Sequence, residues 1–344
     1  MTKKTIIIFF TLLFLVFIGA FIYRGFSDKR GGGEDVDITT PRVVKPPNLP
    51  ERLEGDPSAQ VDENIAFNIP QNAPLLLAKT QTINEEGAEN IALSLNFSSK
   101  ITKLDDVYEG TKFAWATNDH YLWITPKKSH ISYGMNEFEK VTSSASLSTD
   151  QLTEIAFNFL DSKFKIDRNR LISTNITHFN YSTTPGVSFV ESNPQTADLH
   201  QVDFTFTEAE IEIFTSLSTN PIVYVLILPN GEIYKSEAYI FEQITKSEDN
   251  YDLKNLSDVK NTLSDAELIS LENDYININD LSGSDIQSLD IRNINLGYFL
   301  DTEVITSFSN TLQPIFILEG DVQVRNSSAN YAKLYMPAIR SLSR

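Results

Sequence analysis

Residues 112–125 read KFAWATNDHYLWIT, and this stretch predicts two antiparallel strands joined at Asn118-Asp119. Side chains alternate between the two faces of a strand, so large aromatic residues two positions apart lie on one face of the pleat. The four aromatic residues of the stretch are candidates for the wall of a ligand groove, namely Phe113, Trp115, Tyr121 and Trp123. Core packing is the favoured alternative, because a half-buried strand is typically rich in alternating aromatics.

This hairpin belongs to a pattern that occurs three times, a short helix followed by strands. In the first copy, Asn84 is a suitable N-cap, and the apolar residues after it follow helical spacing. The pattern then predicts strands over 112–117, 120–125 and 130–134.

The second copy begins at Ser148, which forms a predicted capping box with Gln151. Strands are expected at about 175–181, 201–207, 222–228 and 232–242. The sequence Pro229-Asn230-Gly231 between the last two is a strong hairpin signal.

The third copy has a short helix capped by Ser257, and Ser264 with Glu267 predicts a second capping box. Its strands are expected at 290–300, 313–321 and 331–338. The predicted fold class is therefore α+β, with tandem helix-plus-antiparallel-hairpin modules after an N-terminal transmembrane helix. The predicted modules are 63–143, 144–246 and 247–344.

The N-terminal helix rests on residues 5–23, TIIIFFTLLFLVFIGAFIY, an uncharged run long enough to cross a bilayer. A cleaved signal peptide is the alternative, but the run is longer than a typical signal core and ends in bulky residues. Residues 1–4 form the predicted cytoplasmic tail. Residues 24–62, rich in Gly and Pro, form a predicted disordered tether, with an irregular arm packed on the domain as the alternative.

The orientation is predicted from the short basic tail at Lys3 and Lys4, which has the shape of an export signal. Arg24, Lys29 and Arg30 oppose it in the positive-inside count. We expect a single-pass protein of the cell membrane, with most of the chain outside the cytoplasm.

Three stretches carry a family resemblance: YDLKNLSDVKNTL at 251–263, PNGEIYKSEAYI at 229–240, and the strands between 312 and 339. They resemble the repeats and terminal strands of PepSY-like and YycH/YycI-like membrane-anchored extracytoplasmic proteins. The resemblance implies a non-catalytic regulator that acts on a protein partner at the membrane. It offers no catalytic residues.

The chain has no cysteine and a formal net charge of −18. Thiolate chemistry and disulfides are excluded, and a nucleic-acid partner is disfavoured because the chain would repel phosphates. His120, His130, His178 and His200 follow no metal-binding pattern and are expected on the surface of strands or loops. Acidic loops at 247–252 and 273–285 do not match EF-hand spacing.

No catalytic motif stands out, so the sequence predicts no enzyme, no catalytic residues, no cofactor and no metal site. The leading functional hypothesis is a membrane-tethered module that binds or regulates a protein partner at the cell envelope. The alternatives are a glycan-binding protein of the envelope and a hydrolase that uses paired carboxylates.

Overall fold

The computed structural model describes residues 45–49, 59–106, 110–141, 147–182, 188–215, 220–272, 281–302, 310–325 and 331–340. From Lys45 onward the chain forms one compact unit.

The described residues form 17 strands and three α-helices. The strands are β1 Ala59–Val61, β2 Asn72–Thr80, β3 Thr102–Asp106, β4 Gly110–Ala116, β5 His120–Thr125, β6 His130–Met135, β7 Leu171–Ser182, β8 Ser188–Glu191, β9 Leu199–Phe206, β10 Ile213–Thr215, β11 Val223–Ile227, β12 Ile233–Tyr239, β13 Phe241–Asp252, β14 Glu267–Glu272, β15 Ile286–Leu300, β16 Asn310–Val324 and β17 Tyr331–Pro337. The helices are α1 Glu85–Ser94, α2 Thr149–Phe159 and α3 Leu256–Asn261.

Nine strands form an antiparallel sheet in the order β3-β4-β5-β6-β12-β11-β9-β7-β8. One face of this sheet packs against α2, where the Phe157 and Phe204 rings lie 4.9 Å apart. Ala88, Ile91 and Ala92 of α1 belong to the same core. Both helices cover one face of the sheet. No helix among the described residues covers its other face, which is called the open face below.

The second sheet has eight strands built around the long β15–β16 hairpin. Its main path is β1-β15-β16-β17-β14, with β10 beside β15 and the β2–β13 pair beside β16. Val259 of α3 and Phe316 of β16 share a second core, so this sheet has its own apolar support.

The predicted fold class was wrong. The structure is mostly β, with two large sheets, and not a tandem row of helix-plus-hairpin modules of the PepSY type. The strands of separate predicted modules pair with each other: β6 pairs with β12, and β2 pairs with both β13 and β16. Local signals predicted hairpins well, but pairing between strands distant in sequence depends on burial over the whole sheet.

Most individual elements agree with the sequence. Asn84 caps α1, and Ser148 with Gln151 forms the expected capping box of α2. The third copy differs, since Asn255 and not Ser257 is the cap of α3. The second predicted helix there is also wrong: residues 263–265 form one 3-10 turn, and Glu267 begins strand β14, whose Leu268 and Ile269 are buried in the sheet.

No helix among the described residues is long and apolar enough to cross a membrane. The predicted transmembrane helix at 5–23 lies outside the described residues, as does most of the predicted tether. The expectation of a PepSY-like single-pass protein is not matched by the described residues, which form a mostly β structure. The predicted location of the chain stays a prediction.

Candidate functional site

A groove of about 600 Å³ lies on the open face of the nine-stranded sheet. Its walls come from β4, β5, β6, β11 and β12, together with the last residue of β10 and residues 220–222. The lining residues are Lys112, Tyr121, Trp123, Thr125, His130, Ser132, Thr215, Asn220, Pro221, Ile222, Tyr224, Lys235, Glu237 and Tyr239.

The register of β4 and β5 separates the four aromatic candidates. Trp115 pairs with Leu122, and Ala114 pairs with Trp123. Phe113 and Trp115 therefore lie in the core, where both are buried. Tyr121 and Trp123 lie on the open face and line the groove, and Trp123 is 50% exposed. The structure thus brings two of the four together in a groove and assigns the other two to core packing.

The floor of the groove holds an ion pair on β12. Lys235 Nζ lies 2.9 Å from Glu237 Oε1. Both side chains are largely buried, with 33% of Lys235 and 24% of Glu237 exposed to solvent. Burial by itself would raise the pKa of Glu237, but the adjacent His130 and Lys235 outweigh it and lower that pKa to about 2. Glu237 is therefore an ionised hydrogen-bond acceptor at neutral pH.

Lys235 is also charged, because its neighbours outweigh the effect of burial. Burial would lower its pKa, but Tyr224 and Glu237 reverse this and raise it above the usual value. Burial and the negative charge of Glu237 also raise the pKa of Tyr224, which keeps this phenol neutral. Lys235 Nζ lies 5.8 Å from the centre of the Tyr224 ring, so the phenol and the ion pair lie together on the floor of the groove.

His130 forms the side of this floor. Its ring stacks on Tyr239 with 4.4 Å between centroids. Its Nε2 atom lies 3.8 Å from Glu237 Oε2, beyond hydrogen-bond distance, and has no hydrogen-bond partner among the described residues.

The charges of the groove are compensated within the protein. Lys235 is paired with Glu237, and Lys112 Nζ lies 3.6 Å from Asp106 Oδ2. The groove therefore has hydrogen-bonding groups and aromatic surface without a net charge of its own to attract an ionic ligand.

A second, larger cleft of about 810 Å³ lies between the two sheets and meets the groove at Asn220 and Pro221. Its most unusual group is Asp203 of β9, which is 5% exposed and accepts a 2.7 Å hydrogen bond from Gln201. Burial, chiefly, and the negative charge of Glu212 raise the pKa of Asp203 to about 7, although Gln201 and Lys333 oppose the shift.

His178 on β7 and His200 on β9 lie in the same sheet, outside the groove. Nδ1 of His178 and Nδ1 of His200 are 2.8 Å apart, and His200 is buried. The prediction that all four histidines are surface residues was therefore wrong for His200. No cluster of three or more metal-ligating side chains occurs in the part of the chain that the structure describes. Of the two acidic loops, 247–252 lies in β13, and most of 273–285 lies outside the described residues.

Sequence reasoning missed the charged floor of the groove. The signal was present in β12, where Lys235, Glu237 and Tyr239 alternate with Ser236 and Ala238. Polar residues at every second position mark one face of a strand, but only the neighbouring strands show that this face is enclosed.

No protein-family model matches the chain, and no curated protein matches it. Among solved structures, a crystal structure of an uncharacterized protein from Eubacterium rectale ATCC 33656 is similar, with a TM-score of 0.41 and 9% identity. The match covers 83% of this chain and 90% of that chain. A likeness of this degree supports no argument about function.

Proposed function

We propose that this protein is a non-enzymatic binding module whose groove takes a neutral sugar unit of a glycan. The observation that carries the proposal is the position of Trp123, half exposed beside the enclosed Lys235–Glu237 pair. A sugar ring has apolar C–H faces and hydroxyls at its edge. Such a ring can stack on an indole and hydrogen-bond to a polar floor at the same time.

The size of the groove supports a small ligand. Its volume of about 600 Å³ falls within the range of small-molecule pockets. A stable protein partner would bury roughly 800 Å² on each side, which is much more surface than this groove offers. The geometry therefore favours the glycan-binding alternative over the protein partner that the sequence led us to expect.

The charges support a neutral ligand. Lys112 and Lys235 are each paired with a carboxylate inside the protein. An anionic ligand would have to compete with Glu237, while hydroxyls can donate to its carboxylate and accept from Lys235.

The groove also favours binding over hydrolysis. Glu237 is the one carboxylate among its lining residues, and its low pKa keeps it ionised. Glycoside hydrolysis by paired carboxyls needs a second carboxyl group and an acid whose pKa is raised. The carboxyl with a raised pKa, Asp203, lines the adjoining cleft and not the groove, and it lies two strands from Glu237 across Tyr224. Release of sugar units is therefore the measurement that separates binding from hydrolysis.

Calorimetric titration of the full chain with N,N′-diacetylchitobiose, a neutral disaccharide called chitobiose below, tests the proposal. We expect binding that falls at least about tenfold in Trp123→Ala, the cost of roughly one lost aromatic contact. Leu104→Ala is the matched control, because Leu104 is also about half exposed and lies on β3 of the same sheet outside the groove.

Three results would contradict the proposal. The first is equal affinity in the wild-type chain and Trp123→Ala, and the second is no binding in either. The third is release of monosaccharide during the titration, which would favour the hydrolase. The location of the module at the cell envelope remains a prediction from residues 1–24.

A further inference from the structure

A second group of aromatic side chains lies beyond the groove on the nine-stranded sheet. Phe138, Tyr181, Phe189 and Tyr234 contact one another, and Phe138 stacks on Tyr181 with 4.1 Å between centroids. Phe189 is 38% exposed although it lies in this cluster. The cluster thus has an apolar surface open to solvent.

Tyr234 connects the cluster to the groove. It is adjacent in sequence to Lys235, and the register between β11 and β12 shifts at this point, from Leu226↔Lys235 to Ile227↔Ile233. Such a bulge lets consecutive residues be re-aimed, so that Tyr234 contacts the cluster while Lys235 lines the groove.

Tyr121 reaches toward Tyr234 from the groove side. It pairs with Gly134 on β6, and its ring lies over that residue: a Cβ at Gly134 would be 2.7 Å from the Tyr121 hydroxyl. Gly134 in turn pairs with Lys235 on β12. The phenols of Tyr121 and Tyr181 are both close enough to Tyr234 to raise its pKa, after the larger effect of burial. Three phenol groups therefore join the two aromatic regions.

Trp123, Tyr121, Tyr234 and Phe189 form a row of aromatic side chains, and its length follows from strand geometry. Trp123 pairs with Ser132, which pairs with Glu237, so Tyr234 lies two strands across and three residues along. With strands ~4.8 Å apart and ~3.3 Å per residue, the separation is about 14 Å. Phe189 extends the row further, with its ring 6.1 Å from that of Tyr234. The row is too long for one sugar ring.

We infer that the groove is one subsite of an extended strip, running from Trp123 through Tyr121 and Tyr234 to Phe189, that binds a chain of several linked neutral sugars. This inference rests on the proposed function and names its ligand class, an oligosaccharide. The aromatic faces at the two ends stack on separate sugar rings, and the phenol hydroxyls between them hydrogen-bond to the units in the middle.

The test compares chitobiose with hexa-N-acetylchitohexaose, the neutral hexamer called chitohexaose below, by calorimetry on the full chain and its variants. In the wild-type chain we expect chitohexaose to bind at least about tenfold more tightly. Phe189→Ala should bind chitobiose as the wild type does and lose most of the gain with length. Ile172→Ala, another exposed apolar residue in this sheet, is the matched control and should retain the gain.

Gly134→Ala tests the connection without deleting an aromatic residue. The added methyl group would displace the Tyr121 ring, and we expect a reduced gain with length. Circular dichroism establishes that each variant is folded.

The outcomes separate the two proposals. Chitobiose binding that depends on Trp123, without a gain for chitohexaose, would overturn the strip and leave the groove. A gain that persists in Phe189→Ala would also overturn the strip, since a longer chain can bind in several registers at one subsite. Absence of binding to either sugar would overturn both proposals.

Discussion

Lys235 and Glu237, two residues apart on β12, point to the same face of the sheet and place Nζ and Oε1 2.9 Å apart. Because both side chains are largely enclosed, each charge depends on the other for its solvation. The pair is therefore a structural element of the groove floor as well as a set of hydrogen-bonding groups.

Glu237→Gln should destabilise the fold by about 1–3 kcal/mol, because it leaves the enclosed Lys235 ammonium without its counter-charge. Urea denaturation measures the change. Replacing both residues, in Lys235→Met with Glu237→Gln, should recover part of the loss.

The control for this prediction is Glu154→Gln. Glu154 forms a bidentate ion pair with Arg168, and both side chains are about half exposed, so we expect a clearly smaller loss than in Glu237→Gln. Equal losses in Glu237→Gln and Glu154→Gln would show that the floor of the groove is not enclosed.

Asp203 should make the free energy of unfolding decrease as pH rises from about 4 to about 7. The folded protein retains a proton on Asp203 up to a pKa of about 7, while the unfolded chain releases it near the ordinary aspartate pKa of 3.8. The unfolded state therefore binds fewer protons in this window, and the decrease is of order 4 kcal/mol over about three pKa units.

Asp203→Asn removes this decrease, because an amide does not ionise and can still accept from Gln201. Relative to the wild type, the variant should gain stability between about pH 4.5 and about pH 8 in urea denaturation. A constant difference between the two proteins over that range would argue against a buried, protonated Asp203.

The two tryptophans should respond differently to a soluble quencher. Trp115 is 4% exposed, while Trp123 is 50% exposed on the opposite face of the hairpin. Acrylamide should quench Trp115→Phe strongly and Trp123→Phe weakly, with emission at shorter wavelength in the latter. Similar quenching of both variants would contradict the register between β4 and β5.

Gly320→Ala should destabilise the protein by roughly 3 kcal/mol or more, because the new Cβ would lie 2.7 Å from the Asp290 carbonyl carbon and 2.8 Å from the Ile291 Cα. These are backbone atoms of β15, which cannot move without disturbing the central hairpin of the eight-stranded sheet.

Gly87→Ala provides the comparison in thermal denaturation. Gly87 lies in the first turn of α1, where the nearest atom to a new Cβ is a side-chain oxygen at 3.2 Å. We expect a change within about 1 kcal/mol there. A Gly320→Ala variant as stable as Gly87→Ala would mean that β15 and β16 are not paired in the observed register.

The two-residue loop at Asn118-Asp119 determines the register of β4 and β5. A hairpin with this loop pairs residues whose numbers add to a constant, which places Trp123 opposite Ala114 and Trp115 opposite Leu122. The division of the aromatics between two faces could thus have been predicted. Which face would be covered by helices could not, because α1 and α2 reach the sheet from outside the hairpin.

The sequence by itself determined the local elements. The capping box at Ser148 and Gln151 predicted the start of α2, and Pro229-Asn230-Gly231 predicted the turn between β11 and β12. These signals depend on hydrogen bonds and dihedral angles within a few residues, so the surroundings change them little.

Only the tertiary structure decided that the hairpins merge into two large sheets and that Lys235, Glu237 and Trp123 line one groove. Lys235 and Trp123 are more than a hundred residues apart in the chain, and they meet because β6 pairs with both β5 and β12. That pairing follows from burying the apolar faces of all nine strands together, a cooperative property that no local segment encodes.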